Sequence, residues 1–119
     1  MSCIFCKIID KEIPSDTLFE DENFVAFHDI NPKAPVHILV IPKKHYQSFQ
    51  DMPSDLMAKM TTFIQRLSLK LGVDKSGYRL ITNIGENGGQ EVPHIHFHLL
   101  GGAKLKWEHF TDADPKNMF

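Results

Sequence analysis

Three histidines stand two residues apart in the segment PHIHFHLLGG, residues 93–102. Such positions do not share a face of a helix, but in a β-strand alternate side chains point the same way. We therefore expect a strand whose one face carries imidazoles about 6.6–6.8 Å apart and whose other face enters the core. The imidazole face holds His94, His96 and His98, and the apolar face holds Ile95, Phe97 and Leu99. Such a face suits metal ligation or chemistry at phosphorus or carbonyl carbon, because neutral imidazole is both a nucleophile and a proton carrier.

A glycine-rich segment, GENGGQ at residues 85–90, lies just before these histidines. Glycines let backbone N–H groups approach the oxygens of a phosphate closely. Most segments of this kind simply form turns. Beside three imidazoles, however, the segment favours phosphate chemistry.

The chain also carries a C-x₂-C pair, Cys3 and Cys6. This is half of a structural zinc site, which needs four nitrogen or sulfur ligands. The other two ligands could be histidines distant in the sequence, and spacing does not choose them. The alternative is a pair of small buried apolar side chains. A redox pair is disfavoured, since no strand of a βαβ unit precedes it.

Length and composition favour one globular domain. The 119 residues are 42% hydrophobic and 24% charged, with a net charge of −2. The longest basic run is Lys43-Lys44, so we expect no nucleic-acid partner. No apolar run approaches the roughly 20 residues of a membrane span, and no signal peptide is visible, so we expect no membrane association and a cytoplasmic location.

Hydrophobic patterning predicts a single α+β domain over residues 1–119 with a mostly antiparallel sheet. The last part of this domain, residues 102–119, is predicted to be a polar tail. The predicted elements are a short helix at 4–9, strands at 17–21, 24–29 and 36–42, a helical turn at 43–49, a long helix at 54–71, and strands at 78–83 and 94–101.

The long helix has apolar residues at three- and four-residue spacings, which predicts one buried stripe. We expect Ser54 to be its N-cap and Gly72 to end it. The stripe comprises Leu56, Met57, Met60, Phe63, Ile64, Leu67 and Leu71.

The segment HIHFHLL fits the pattern His-φ-His-φ-His-φ-φ, where φ is apolar, and so resembles the histidine triad (HIT) superfamily of nucleotide hydrolases and transferases. Three longer stretches resemble its Hint branch: IFCKIIDKEIPS, VAFHDINPKAPVHILVIPKKH and NIGENGGQEVPHIHFHLLGG. The resemblance covers residues 3–107. It implies a HIT-like fold, in which a five-stranded antiparallel sheet is joined by one long and one short helix. It also implies a homodimer and a purine mononucleotide bound beside the histidines.

The resemblance assigns three catalytic histidines. His96 resembles the nucleophile that attacks the α-phosphorus and forms a nucleotidyl-histidine. His98 resembles the residue that contacts the phosphate, and His37 resembles a fourth histidine that supports the others. Without the resemblance, His37 reads as an ordinary strand residue.

The resemblance also implies a nucleotide-binding site. Asp29 resembles the ribose ligand, although by itself it reads as a turn residue before Asn31-Pro32. Glu91 is assigned through its backbone, because its carboxylate would repel a phosphate. The remaining assignments are the purine pocket, formed by Ile4, Phe5, Ile8, Phe27, His28 and Ile30, and the phosphate end, formed by Asn83, Gly89, Gln90, Glu91 and Val92. For the pocket residues the alternative is ordinary core packing.

Relatives with this C-x₂-C use it to bind zinc, which implies a Cys₂His₂ site of Cys3, Cys6, His45 and His94. With no open position, such a zinc would be structural. No organic cofactor is expected.

We therefore expect a hydrolase of purine nucleoside 5′-phosphoramidates, since the leaving amine needs a proton that an imidazole cluster can donate. Two alternatives stay open. One is a dinucleoside polyphosphate hydrolase, which would use the same histidines on Ap3A or Ap4A. The other is a nucleotide-binding interaction module without catalytic function.

Overall fold

The structure is a computed structural model and describes residues 3–108 and 110–112. The chain forms the predicted α+β fold, with one antiparallel sheet of five strands in the order β1-β2-β3-β5-β4. The elements are α1 (Ile4–Ile9), β1 (Thr17–Glu20), β2 (Phe24–His28), β3 (Val36–Pro42), a 3₁₀ helix (Phe49–Asp51), α2 (Ser54–Leu71), β4 (Tyr78–Ile81) and β5 (Phe97–Gly101).

Each face of the sheet packs against a different helix, because successive side chains of β2 and β3 alternate between the faces. The larger core joins one face to α2, and the smaller core joins the other face to α1. The larger core includes Ile95, Phe97 and Leu99, as predicted. The smaller core consists of Cys3, Phe5, Val25, Phe27, Leu39 and Ile41.

The long helix has the predicted apolar stripe, and all seven stripe residues belong to the larger core or pack against it. Its left-handed end is also as predicted, since Gly72 has φ 72° and donates its N–H to the carbonyl of Leu69. The predicted N-cap is wrong. Ser54 is already helical, and Pro53 caps the helix because its carbonyl accepts the N–H of Met57 at 3.0 Å.

The last strand is shorter than predicted, since it begins at Phe97 and not at His94. The preceding backbone forms bonds outside the sheet. The N–H of Ile95 donates to the carbonyl of Tyr46 at 2.7 Å, and the hydroxyl of Thr82 donates to the carbonyl of His96 at 2.9 Å. The prediction of one continuous strand with all three imidazoles on one face is therefore wrong, because residues 94–96 form an irregular segment before β5.

Three other strands end earlier than predicted, at Glu20, His28 and Ile81. The helical turn predicted at 43–49 is wrong, because the 3₁₀ helix starts only at Phe49. Within residues 3–108 and 110–112, no helix is long and apolar enough to cross a bilayer.

Candidate active site and metal cluster

The pairing of β3 with β5 brings two of the predicted histidines together. His37 lies opposite Leu100, so it is a diagonal neighbour of His98 on the same sheet face. The Nε2 atom of His37 is 2.9 Å from Nδ1 of His98. The Nδ1 atom of His37 accepts the backbone N–H of Lys33 at 3.0 Å, so its proton is on Nε2 and donates to His98. His98 is thereby left with an Nε2–H group for a ligand.

Burial keeps this pair neutral. Burial first, and then the neighbouring His96 and His37, together lower the pKa of His98 to about 4. Burial also lowers the pKa of His37 below its usual 6.5, with the carboxylate of Asp29 opposing the shift. At neutral pH both side chains are therefore uncharged hydrogen-bonding groups.

The middle histidine has a fixed tautomer. The Nδ1 atom of His96 lies 2.9 Å from the carbonyl oxygen of His94, and a carbonyl only accepts, so Nδ1 carries the proton. The Nε2 atom therefore keeps its lone pair, as a nucleophile requires. The buried ring of His96 lies between Phe5 and His98, with centroid distances of 5.1 and 5.2 Å. A nucleophilic nitrogen thus lies beside a histidine that has an N–H to donate.

Asp29 lies next to the imidazoles and also forms the turn that its sequence context suggests. Its Oδ2 atom is 3.5 Å from Nε2 of His37, while its Oδ1 atom accepts the N–H of Asn31 at 2.8 Å. The carboxylate is thus held at the edge of the histidine group. Its role as a ribose ligand remains a prediction.

The six residues predicted to contact a purine have very different environments. Phe5 and Phe27 are buried in the smaller core, and Ile8 packs against that core. In contrast, Ile4 and His28 are exposed, and Ile30 is 92% exposed. The alternative of core packing therefore describes the two phenylalanines, and a purine contact remains a prediction for all six.

The glycine-rich loop is a turn tied together by one side chain. The amide of Gln90 accepts the N–H of Gly85 at 3.0 Å and donates to the carbonyls of Gln47 and Val92 at 2.6 and 3.0 Å. Gly88 has no room for a side chain, since a Cβ atom would lie 2.3 Å from the carbonyl oxygen of Ile84. The side chain of Gln90 is therefore engaged within the protein. The backbone N–H groups of Gly89 and Gln90 are engaged as well, because they donate to the carbonyls of Glu86 and Gly85, each at 3.0 Å.

Among the rest of the predicted phosphate end, Glu91 has a described electrostatic effect on His98. The exposed carboxylate of Glu91 is near enough to raise the pKa of His98 slightly, while Asn83 and Val92 are half-buried. Contacts of these residues with a phosphate remain predictions, as do those of Gly89.

The two cysteines meet two distant histidines in a compact cluster, which we call the metal cluster. It consists of Cys3, Cys6, His45 and His94, whose ligand atoms all lie within 4.8 Å of one another. The sulfurs are 3.3–3.6 Å from the imidazole nitrogens that they approach, and the two Nδ1 atoms are 3.1 Å apart. A tetrahedral ion with usual zinc bond lengths would require roughly 3.6 Å and 3.3 Å for these separations. These four residues can therefore bind a metal ion.

The tautomer of His94 also favours metal binding at this cluster. The Nε2–H of His94 donates to the carbonyl of Pro42 at 2.9 Å, so the lone pair of Nδ1 points into the cluster. Burial and the neighbouring Cys3 raise the pKa of Cys6 to about 11. That thiol would lose its proton only when a cation stabilises the thiolate.

A second group of possible ligands, Asp29, His37 and His98, does not suit a metal ion. Its donor atoms also lie within 4.8 Å of one another. However, the backbone N–H of Lys33 requires the lone pair of Nδ1 in His37, which leaves a proton on the Nε2 atom facing the group. A protonated nitrogen cannot ligate a metal ion.

Stability should depend on pH through His98. Its pKa is about 4 in the fold and 6.5 when unperturbed, so between these values the unfolded chain binds the proton more readily. The free energy of unfolding should therefore be unaffected above pH 6.5, should fall by about 2 kcal/mol as pH drops to 4, and should then level off. Urea titrations at several pH values test this with His98→Asn as control. Equal pH dependence in both proteins would contradict the assignment.

Comparisons with known proteins identify the family to which the chain is similar. The profile of a family described as HIT domain matches residues 10–105. A HIT-like protein of Helicobacter pylori is 54% identical over 101 residues, which cover 85% of this chain and 97% of that protein.

Two solved structures share the fold. A HIT family hydrolase from Legionella pneumophila is 47% identical, with a TM-score of 0.85 and with 89% of this chain and 97% of that chain covered. A histidine triad nucleotide-binding protein from Candida albicans is 35% identical, with a TM-score of 0.79 and coverage of 94% and 87%. With the profile matched over most of its length and three alternating histidines at its site, the chain belongs to the histidine triad (HIT) family.

Proposed function

We propose that this protein is a hydrolase of the Hint branch that cleaves the P–N bond of purine nucleoside 5′-phosphoramidates. The observation that carries the proposal is the hydrogen bond from Nδ1 of His96 to the carbonyl of His94, which leaves Nε2 as a free nucleophile. The similar protein from Legionella pneumophila is described as a hydrolase, and that from Candida albicans as nucleotide-binding. Both descriptions agree with the proposal.

In the first step, Nε2 of His96 attacks the α-phosphorus and the P–N bond breaks. The carbonyl of His94 accepts a hydrogen bond from Nδ1 and so stabilises the positive charge that develops on the ring. His98 donates its Nε2–H to a phosphate oxygen. The amine leaves with a proton, and the nucleotide remains attached to His96.

The proton for the amine requires a change at His98, since this side chain is neutral in the free protein. An anionic phosphate beside the ring favours the imidazolium form and raises its pKa. On binding substrate, Nδ1 of His98 would therefore take up a proton from solvent, while the Nε2–H of His37 turns to the carboxylate of Asp29, 3.5 Å away. Nε2 of His98 would then donate its proton to the leaving nitrogen. In the second step, water attacks the phosphorus and gives a proton to Nε2 of His98, the bond to His96 breaks, and the nucleoside monophosphate is released.

Nucleotide binding follows from the groups around the histidines. Asp29 accepts the ribose hydroxyls, and the backbone N–H groups of Glu91 and Val92 donate to the phosphate, since those of Gly89 and Gln90 already donate within the loop. The apolar side chains of α1 and β2 line the purine. In this arrangement the charged phosphate and the ribose contact polar groups, and the purine contacts apolar side chains.

We assign zinc to the metal cluster, because two sulfur and two imidazole ligands in tetrahedral separation are the set that zinc prefers. Four protein ligands leave no position for substrate. When bound, zinc supplies a structural link between α1 and the segment before β5.

We also propose a homodimer in the cytoplasm. The support is an edge of the sheet at β4, which pairs on one side with β5. Beside it lie exposed apolar side chains, including Leu80 at 42% and Trp107 at 77% exposure. The guanidinium of Arg79 covers the Trp107 ring at 5.4 Å from its centroid. An exposed strand edge with apolar neighbours is suited to a second copy of the chain.

Substrate choice is tested by turnover on a panel. We expect kcat/KM for a fluorogenic adenosine 5′-phosphoramidate to exceed that for Ap3A and Ap4A by at least about 100-fold, because the latter need room for a second nucleotide. The guanosine analogue should be turned over as well, and a pyrimidine analogue more slowly.

The outcomes separate the alternatives. Faster turnover of Ap3A or Ap4A would replace the proposal by a dinucleoside polyphosphate hydrolase. Binding of AMP with no turnover of any substrate would favour an interaction module.

A further inference from the structure

One residue belongs to both the metal cluster and the catalytic group. The imidazole of His94 lies 3.4 Å from the sulfur of Cys3 and 3.1 Å from the ring nitrogen of His45. The backbone carbonyl of the same residue accepts the proton of Nδ1 in His96. Whatever holds the ring of His94 therefore also holds the oxygen that fixes the tautomer of the nucleophile.

A second connection runs through the short helix. Phe5 lies between the two cysteines in the sequence, and its ring contacts both His94 and His96 edge to face, at centroid distances of 5.8 and 5.1 Å. It also contacts Phe27 of the smaller core. Helix α1 has only six residues, so its position depends on packing and on its two sulfur ligands more than on helix stability.

The segment that carries these contacts lies outside the sheet. Residues 94–96 precede β5 and, within the described part of the chain, form no ladder pair with β3 or β4. Their main-chain hydrogen bonds are formed with Val92, Tyr46 and Thr82. Two side chains add support: Ile95 is buried in the larger core, and the ring of His94 is held between Pro42 and the metal cluster.

We infer that the metal cluster is a positioning element for His96, and that it fixes the tautomer and the direction of the nucleophile through the His94 carbonyl and the Phe5 ring. The kinetic part of this inference rests on the proposed function. Loss of the metal should lower kcat and leave KM nearly unchanged, because Asp29 and the backbone of residues 91–92 lie outside the segment.

The test variant is His45→Asn. His45 contacts Cys6 and His94 but has no described contact with His96, so its loss removes a ligand without altering the peptide between His94 and His96. We expect zinc content to fall, kcat to fall about tenfold and KM to change by less than about twofold. The control is His45→Cys, which supplies a Cys₃His ligand set and should retain both zinc and kcat.

A second measurement needs no turnover. In the wild-type protein, ¹⁵N NMR should show His96 as the Nδ1–H tautomer, and replacing zinc by the larger cadmium ion should shift the Nδ1 proton resonance. In folded His45→Asn, the same residue should show a mixture of tautomers.

Two results would overturn the inference: a folded, metal-free His45→Asn protein with wild-type kcat, or a His96 proton resonance that does not move on cadmium substitution. If no metal-free protein folds, the cadmium experiment decides alone. If no substrate is hydrolysed by the wild type, the proposed function fails, whereas the NMR result still tests the positioning.

Discussion

Replacing His96 with asparagine should nearly abolish hydrolysis of the phosphoramidate while leaving the fold intact. The amide N–H of asparagine can still donate to the carbonyl of His94, but no nitrogen lone pair remains to attack phosphorus. We expect kcat to fall about 10⁴-fold or more, as when a covalent nucleophile is removed from other hydrolases. Affinity for AMP, measured by calorimetry, should change by less than about threefold.

A rescue experiment serves as the control for this substitution. In His96→Gly the space of the ring is vacant, so added imidazole should restore part of the turnover by attacking the same phosphorus. Turnover by His96→Asn at more than about a tenth of the wild-type rate would be incompatible with nucleophilic catalysis by this residue.

Of the changes considered, removal of the metal ion should lower the free energy of unfolding the most. An ion that binds only the folded state stabilises it by about 4 kcal/mol when its free concentration is about a thousand times Kd. Chelation, or the variant Cys6→Ser, should therefore lower the melting temperature by roughly 15 °C. The cause is the loss of the link between α1 and the segment before β5.

Metal content and melting should be measured together. The variant His28→Asn changes an exposed imidazole outside the metal cluster and should keep both the metal and its stabilising effect. An identical melting temperature before and after chelation, with metal shown to be removed, would contradict a structural role for the ion.

The fold could largely be predicted because hydrophobic periodicity determines it. The stripe from Leu56 to Leu71 indicated α2, and the alternation of Ile95, Phe97 and Leu99 indicated the core face of the last strand. Strand ends could not be predicted from that pattern. They depend on which partner each backbone group finds, as where Ile95 bonds to Tyr46 and not to a neighbouring strand.

The side chains of the candidate site could be predicted from the sequence, but the backbone groups that fix their tautomers could not. Histidine spacing and the resemblance pointed to His37, His96 and His98, and the structure brings these three together. The groups that set their tautomers were missed, because they are the backbone N–H of Lys33 and the carbonyl of His94. Hydrogen bonds of main-chain groups cannot be predicted from residue types, because every residue has the same backbone. The bond from the hydroxyl of Thr82 could not be predicted either, because its acceptor is the carbonyl of His96.

The chain-distant ligands of the metal cluster show the same limit. Spacing alone indicated half of a site at Cys3 and Cys6, and the resemblance supplied His45 and His94. The structure brings all four together because α1 packs across the sheet face beside the start of β5. The second possible ligand group, around His37, is excluded by a single backbone hydrogen bond.

The most direct test is to locate the nucleotide on the protein during turnover. Adenosine phosphoramidate is mixed with the wild-type protein, the reaction is quenched in alkali within one turnover, and the peptides are sequenced by mass spectrometry. Our account predicts an adenylyl group on His96 that disappears as AMP forms. An adenylyl group on another residue, or AMP formed in a burst with no adduct at any time, would contradict it.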